Sequence, residues 1–161
     1  MASDGASNNE RLLAAARDDN EDLLLDVFDQ PGTFDINYQD GLGNTALHYA
    51  VLHTSYDVLD HILSHEECDV DPTNKLDKAT PLHLAVEKED PEDREYFVEN
   101  LLEAGANYTI RNKHGETAED LVKPGDEVIL ALFRKAQADA DANMDDIAYE
   151  DDDDVASEGS D

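Results

Sequence analysis

The sequence predicts an all-α solenoid of about four helix–turn–helix units, followed by a disordered acidic C-terminal tail. Three observations predict this fold class. A six-residue pattern occurs at residues 45–50 (TALHYA) and again 35 residues later at 80–85 (TPLHLA). Apolar residues at helical spacing follow both copies, and residues 136–161 contain 11 acidic residues but no Lys or Arg. Repetition at a fixed period near 33 residues is typical of stacked helical repeats, each of which buries its apolar face against a neighbour.

The repeat continues on both sides of these two copies. Leu12 lies one period before Leu47, and residues 115–118 (GETA) repeat the pattern of residues 43–46 (GNTA). The agreement predicts one domain over residues 9–137. Its four units are expected at residues 9–40, 41–75, 76–112 and 113–137.

A second, longer helix is predicted in each unit from the apolar residues that follow the pattern. In the two central units these residues are Val58, Leu59, Ile62 and Leu63, then Phe97, Val98, Leu101 and Leu102. Their spacing places them on one helical face. About four extra residues at 89–93 lengthen the turn between the two helices of the third unit.

Charge divides the chain into segments. Its 161 residues include 41 Asp and Glu against 11 Lys and Arg, which gives a formal net charge of −30. Residues 138–161 are predicted to be a disordered acidic tail, because such a like-charge block cannot bury enough apolar surface to offset its ordering entropy. Within that tail, residues 144–149 (MDDIAY) interleave apolar and acidic residues. The pattern suggests a short element that orders on a partner, with a solvated acidic spacer as the alternative. Residues 1–8 are predicted to be a disordered N-terminus.

The same composition excludes several classes of function. Nucleic acid and anionic membrane surfaces would repel so negative a chain, which instead favours a basic protein partner. No apolar run approaches the roughly 18 residues of a membrane span. A single cysteine, Cys68, cannot form an internal disulfide and fits a reducing compartment, so we expect the protein in the cytoplasm and nucleus.

The T-[PA]-L-H-x-A pattern resembles that of the ankyrin repeat, and residues 102–107 (LEAGAN) are similar to the ending of that family's second helix. The resemblance covers about residues 9–135. It implies a short inner helix, a longer outer helix and a hairpin-like finger in each unit, with the two terminal units acting as caps. It also implies a structural role for the pattern residues, which are Thr45, Leu47, His48, Ala50, Thr80, Pro81, Leu82, His83, Ala85 and Gly105.

Outside the repeat pattern, the strongest candidates for metal binding or catalysis are His61, His65 and Cys68. His61 and His65 have the i, i+4 spacing of a two-histidine metal site with Cys68 nearby, but no second cluster completes a tetrahedral shell. No Ser, Thr or Cys nucleophile is paired with a base, and Cys68 lacks neighbouring cations. We therefore predict that the protein is not an enzyme and uses no metal or cofactor. A metal-dependent or hydrolytic enzyme remains as the alternative from a different class of function.

The resemblance further implies that partners bind to finger tips and to exposed positions of the inner helices. The corresponding residues are Tyr38, Asp40, Leu42, Tyr49, Leu52, His53, Asn74, Leu76, Asp77, Leu84, Glu87, Lys88, Arg111, Asn112 and His114. Apolar anchors inside an acidic rim suit a basic ligand. The alternative is that Tyr49 and Leu84 only pack against the neighbouring repeat.

In overall plan the chain resembles the small acidic fungal ankyrin proteins that escort a ribosomal protein of the small subunit. This resemblance implies a monomeric escort, or chaperone, for a basic client in ribosome biogenesis, with a histone as another possible client and without direct nucleic-acid or membrane binding. The alternative is a scaffold or regulatory factor with a non-ribosomal partner, of the proteasome-assembly or transcription-inhibitor type.

Overall fold

A computed structural model describes residues 7–142, which fold into helices and contain no strand within that range. This confirms the predicted all-α class. Residues 1–6 and 143–161 lie outside the described part. Most of the N-terminus and of the acidic tail that are predicted to be disordered therefore lies outside it as well. The helices are α1 (Asn8–Asp18), α2 (Glu21–Phe28), α3 (Ala46–Leu52), α4 (Tyr56–Ser64), α5 (Pro81–Val86), α6 (Pro91–Glu103) and α7 (residues 127–142), with one 3₁₀ turn at Glu119–Leu121.

The helices stack in two rows. In the inner row α1 packs on α3, α3 on α5, and α5 on the 3₁₀ turn, while in the outer row α2 packs on α4. The inner helices α1, α3 and α5 also pack on the outer helices α2, α4 and α6 that follow them. Each unit therefore buries apolar surface both within itself and against its neighbours, which is the construction principle of a solenoid.

Small residues allow the inner helices to approach each other closely. Ala15, Ala50 and Ala85 occupy equivalent positions on α1, α3 and α5, and all three are fully buried. Larger apolar side chains fill the space between the two rows: Leu12, Leu24, Leu47, Leu59, Ile62, Leu82, Phe97, Leu101, Ile129 and Phe133, none of them more than 1% exposed. Among the described residues, every buried side-chain nitrogen or oxygen has a hydrogen-bond partner.

Polar side chains determine where the helices begin. Ser7 accepts a hydrogen bond from the Glu10 amide while the Glu10 side chain accepts one from the Ser7 amide, so that a capping box starts α1 at Asn8. The helix thus begins inside the segment assigned to the N-terminus from sequence. Thr45 and Thr80 cap α3 and α5 in the same manner, with His48 and His83 in place of the acidic residue.

The two buried histidines connect successive units. The Nδ1 atom of His48 accepts a hydrogen bond from the Thr45 amide at 3.0 Å, so the neutral ring carries its proton on Nε2 and donates it to the Ala79 carbonyl at 2.9 Å. His83 repeats this arrangement with Thr80 and with the carbonyl of Glu116, at 3.1 and 2.8 Å. Each ring therefore links the start of one inner helix to the segment that leads into the next unit.

Three extended loops project between the units, and we call them finger 1 (residues 35–44), finger 2 (69–79) and finger 3 (107–116). A backbone hydrogen bond closes each one, such as that from the Asn74 amide to the Ala79 carbonyl at 3.0 Å. Neighbouring fingers are also joined: the Lys75 amide donates to the Leu42 carbonyl at 2.9 Å, and the Lys113 amide to the Asp77 carbonyl at 2.8 Å. The fingers thus form one continuous row.

The last unit differs from the others because a single 3₁₀ turn stands where an inner helix would be. Its outer helix, α7, continues through residue 142, five residues beyond the end expected from sequence. Asp126 fixes the start of α7: one carboxylate oxygen accepts from the Ile129 amide at 3.3 Å, and the other pairs with Arg94 of α6 at 3.1 Å. This cap is joined to the outer row, as a terminal repeat requires.

We expect Gly43→Ala to destabilise the protein. Gly43 has a φ of +82°, and a Cβ atom there would lie 2.5 Å from the backbone nitrogen of Lys75, which donates the bond between fingers 1 and 2. Left-handed backbone costs a non-glycine residue about 1–2 kcal/mol before any clash is counted. Chemical denaturation should show a loss of at least that size. Gly41→Ala is the control, because an added Cβ meets nothing within 4 Å there; equal losses for both variants would contradict the interpretation.

We expect the stability of the fold to fall as the pH is lowered below 6.5, partly through His48. Burial lowers the pKa of His48 from its ordinary value of 6.5 despite the bond to the Ala79 carbonyl, which favours the protonated ring. The neutral ring therefore stabilises the folded state above pH 6.5, and this contribution is lost as the pH falls toward the lowered pKa, with a slope of at most about 1.4 kcal/mol per pH unit.

Urea denaturation at about pH 7.5 and about pH 5.5 measures this contribution. The difference between the two free energies of unfolding should shrink in His48→Gln relative to the wild type. The exposed His53→Gln is the matched control and should retain the wild-type difference. An unchanged difference in His48→Gln would rule out the assigned role.

Candidate protein-interaction surface

The exposed side of the inner helices, together with the fingers, forms one face of the molecule, which we call the inner face. Most residues predicted to bind a partner lie here at accessible positions. Exposed are Leu42, Leu52, His53, Leu76, Glu87, Arg111 and His114; half-buried are Tyr38, Asp40, Asp77, Leu84, Lys88 and Asn112; buried are Tyr49 and Asn74. That these residues contact a partner stays a prediction.

A cleft separates the C-terminal ends of α3 and α5, and we call it the α3–α5 cleft. It is lined by Val51, Leu52, Thr54, Leu84, Glu87, Lys88, Glu89, Asp90 and Asp93. The Leu52 side chain is 47% exposed at its edge, beside the half-buried Leu84. Four carboxylates, those of Glu87, Glu89, Asp90 and Asp93, line the same cleft. The cleft therefore offers apolar contact inside a negatively charged rim.

The only lysine of the cleft, Lys88, points into the protein. Its Nζ donates to the Val51 carbonyl at 2.6 Å and to Thr54 Oγ1 at 2.8 Å, and lies 5.1 Å from the centre of the Phe97 ring. Burial lowers the pKa of this ammonium group. Since internal groups hold the cation in place, it does not neutralise the carboxylates at the rim.

Arg94 holds the rim in place, and sequence reasoning missed it. Its guanidinium donates to the carbonyls of Lys88 and Glu89, at 2.6 and 3.2 Å, while its Nε pairs with Asp126 at the start of α7. Asp90 caps α6 through the Asp93 amide. The extra residues of the third unit are therefore an ordered turn. The sequence carries no distinctive signal for this contact, because every residue supplies a backbone carbonyl and Asp126 lies 32 positions away.

Tyr49 and Asp40 form a hydrogen-bonded pair at the N-terminal end of the inner face. The Tyr49 hydroxyl donates to the Asp40 carboxylate, and the Arg17 guanidinium lies 5.2 Å from the centre of the Tyr49 ring. Partial burial opposes ionisation of Asp40, but hydrogen bonds from Tyr49 and from the amides of Asn44 and Leu42 outweigh it and lower its pKa. Burial, followed by the bond to Asp40, raises the pKa of Tyr49. Tyr49 is only 8% exposed, so it positions Asp40 and packs within the array.

Three of the predicted contact residues are occupied in closing the fingers. Asp40, Asn74 and Asn112 occupy the same position in successive fingers, and each side chain accepts hydrogen bonds from amides later in its own finger. Asn74 also donates to Asn44 Oδ1 of finger 1 at 3.1 Å and is 7% exposed. Beyond these bonds, the tips present Leu42 and Leu76, which are 56% and 64% exposed.

Comparison with known proteins identifies the repeats. The family model for ankyrin repeats, in three copies, matches residues 12–112. This chain belongs to the ankyrin-repeat family. The matched region ends with the third unit, so residues 113–142, with their 3₁₀ turn and α7, lie beyond it. Ankyrin repeats indicate a protein-interaction module, and the inner face described above belongs to such a module.

Several relatives share the repeats. An ankyrin repeat-containing protein of Saccharomyces cerevisiae is 40% identical over 154 residues, which cover 88% of this chain and 84% of the yeast protein. A probable serine/threonine-protein kinase of Dictyostelium discoideum is 37% identical over 66% of this chain but only 13% of its own length. The nuclear factor NF-kappa-B p105 subunit of Gallus gallus is 33% identical over 62% of this chain and 10% of its own length.

His61 of α4 and His65, which directly follows that helix, face separate partners. His61 Nε2 lies 2.7 Å from Glu21 Oε2, whereas the His65 ring packs edge-on against Phe28 and Phe34, with ring centres 5.3 and 5.9 Å apart. Between residues 7 and 142, no group of three or more His, Cys, Asp or Glu side chains is arranged to hold a metal ion. No helix in this range is long and apolar enough to cross a membrane.

We expect Cys68 to react slowly with thiol reagents. Burial, aided by the neighbouring Asp69 carboxylate, raises the pKa of this thiol from 9.0 to about 11. Near neutral pH the thiolate fraction therefore falls about 100-fold, and the rate of a thiolate-dependent reaction falls with it. Dithionitrobenzoate should react about two orders of magnitude faster with the chain in concentrated urea than with the native protein. Similar rates in both conditions would contradict this environment for Cys68.

Proposed function

We propose that this chain is an escort for a basic protein client, which it holds on the inner face. One observation carries the proposal: in the α3–α5 cleft the lysine is fixed internally while four carboxylates line the cleft together with the exposed Leu52. The net charge of −30 adds a long-range attraction for a cationic partner. Solubility alone would not require carboxylates to line a cleft with exposed apolar side chains.

The two parts of the cleft supply different contributions to binding. Apolar anchors such as Leu52 and Leu84 gain from exclusion of water at the centre of an interface. The carboxylates at the rim accelerate association and select against acidic partners, with a strong dependence on salt. A client segment with one or two apolar residues between Lys or Arg residues fits this arrangement.

Among basic clients we favour a ribosomal protein, with a histone as the other candidate. Both classes carry cationic surfaces that bind nucleic acid, and an acidic escort can cover such a surface until assembly. The single cysteine fits the reducing cytoplasm and nucleus as the compartments in which the escort would act. The name of the yeast relative mentions its ankyrin repeats and no partner. The preference for a ribosomal client therefore depends on the charge of this chain and on its overall plan.

A scaffold or regulatory factor with a non-ribosomal partner is the second candidate. The exposed Leu42 and Leu76 at neighbouring finger tips favour it, because they offer apolar contact away from the carboxylates of the cleft. A partner held mainly at these tips would retain its affinity when carboxylates of the α3–α5 cleft are reversed.

Affinity purification at low and high salt tests the proposal. Wild-type protein should recover a basic client at about 0.05 M salt and release it at about 0.5 M. Glu87→Lys with Glu89→Lys should weaken the affinity for the recovered client about tenfold or more, because two attractive pairs become repulsive. Fluorescence anisotropy with the purified client measures that change.

The matched control reverses two exposed carboxylates on the outer helices, Asp22→Lys with Asp60→Lys. It produces the same net charge as the cleft variant and should retain most of the affinity. An equal loss in both variants would show that net charge, and not the cleft, holds the client. Binding that is insensitive to salt would contradict the proposed escort function, and so would recovery of no ribosomal protein or histone.

A further inference from the structure

The cations of this acidic molecule are unevenly distributed. Four of its 11 Lys and Arg residues lie on fingers 2 and 3, and we call them the finger row: Lys75, Lys78, Arg111 and Lys113. All four are exposed. Asp77 is the only acidic residue in the stretches 72–79 and 110–115 that carry them. A strip of positive charge therefore crosses a protein that is strongly negative overall.

The structure holds the finger row in a defined geometry. Backbone hydrogen bonds join finger 2 to finger 1 and finger 3 to finger 2. Arg111 donates to the Gly115 carbonyl at 2.7 Å, and Lys113 Nζ lies 3.6 Å from the Asp77 carboxylate. Leu76 stands among these cations at 64% exposure. The row thus combines cations with an apolar contact, which suits a ligand that is acidic and partly apolar.

Such a ligand is present in the same chain. Residues 143–161 contain nine Asp and Glu and no Lys or Arg. Apolar residues are interspersed among the acids at Met144, Ile147, Tyr149 and Val155. The composition of this segment is complementary to that of the finger row in charge and in apolar content.

The point at which the segment leaves the fold is close to the row. Residues 136, 139 and 140 of α7 line a groove together with residues 105–109, where finger 3 begins. The 19 residues after position 142 span about 60 Å when extended and roughly 25 Å as a random coil. Since helices of adjacent units pack about 10 Å apart, both basic fingers are within reach. A short tether of this kind gives an effective concentration on the order of millimolar.

We propose that residues 143–161 dock on the finger row of their own molecule. The acidic run 150–154 pairs with the four cations, and an apolar residue of the segment covers Leu76. Because nine carboxylates meet four cations, docking reverses the charge of the row. The fingers then continue the acidic inner face, whereas the uncovered row would repel a basic client.

Paramagnetic relaxation in the full-length chain tests this contact. A nitroxide is attached at Ala156→Cys in a Cys68→Ser background, and amide signals are compared before and after reduction of the label. At low salt we expect at least about a twofold selective loss of intensity at residues 75–78 and 111–115, as an effective concentration near millimolar predicts. The loss should disappear at about 0.5 M salt, where exposed charges are screened.

Charge reversal identifies the cations. Lys78→Glu with Lys113→Glu should abolish the effect, while Lys123→Glu with Arg134→Glu, which changes net charge equally away from the fingers, should retain it. Absence of broadening at the tips of the wild type at low salt, or persistence in the first variant, would overturn the proposal. Broadening in a mixture of isotope-labelled protein and separate nitroxide-labelled protein would assign the contact to a second copy, which would also overturn it.

Discussion

The stacking of units depends on one buried hydrogen bond that is repeated along the array. His48 and His83 each accept a hydrogen bond from the backbone amide of the threonine that caps their helix. Each ring also donates one to a carbonyl at the start of the next unit. A neutral imidazole with one donor and one acceptor satisfies both ends. Without that bond, a polar ring would be left unsatisfied in the core, at a cost of about 1–3 kcal/mol. The bond thus fixes one inner helix against the segment that enters the next unit, and the small buried alanines allow the inner helices to pack closely around it.

The same stacking separates structural residues from residues available to a partner. Tyr49, which packs within the array, and Asn74, which closes finger 2 and bonds to finger 1, are buried, whereas the finger-closing Asp40 and Asn112 are half-buried. Side chains between these positions are exposed on the inner face, where carboxylates predominate in the α3–α5 cleft and cations at the finger tips. An array with so negative a charge therefore still presents distinct surfaces of opposite sign, and each suits a different class of ligand.

Periodic features of the fold could be predicted from the sequence, and single contacts between units could not. The pattern at residues 45–50 and 80–85 predicts the helices, their caps and the buried positions, because each depends on local spacing. The internal anchoring of Lys88 and the bridge from Arg94 to Asp126 depend on residues more than 30 positions apart. The exposed Leu42 and Leu76 were predicted, yet the burial of Asn74 was not, since its bond to Asn44 crosses between fingers.

The bonds between fingers use only main-chain atoms of Lys75 and Lys113. Any residue other than proline supplies the same amide. The Lys113 side chain adds only an exposed ion pair with Asp77 at 3.6 Å, which contributes little to stability. The tips can thus change from basic to acidic or apolar through single substitutions while the row keeps its shape. An array built in this way can acquire a new ligand at its finger tips without a compensating change in the core.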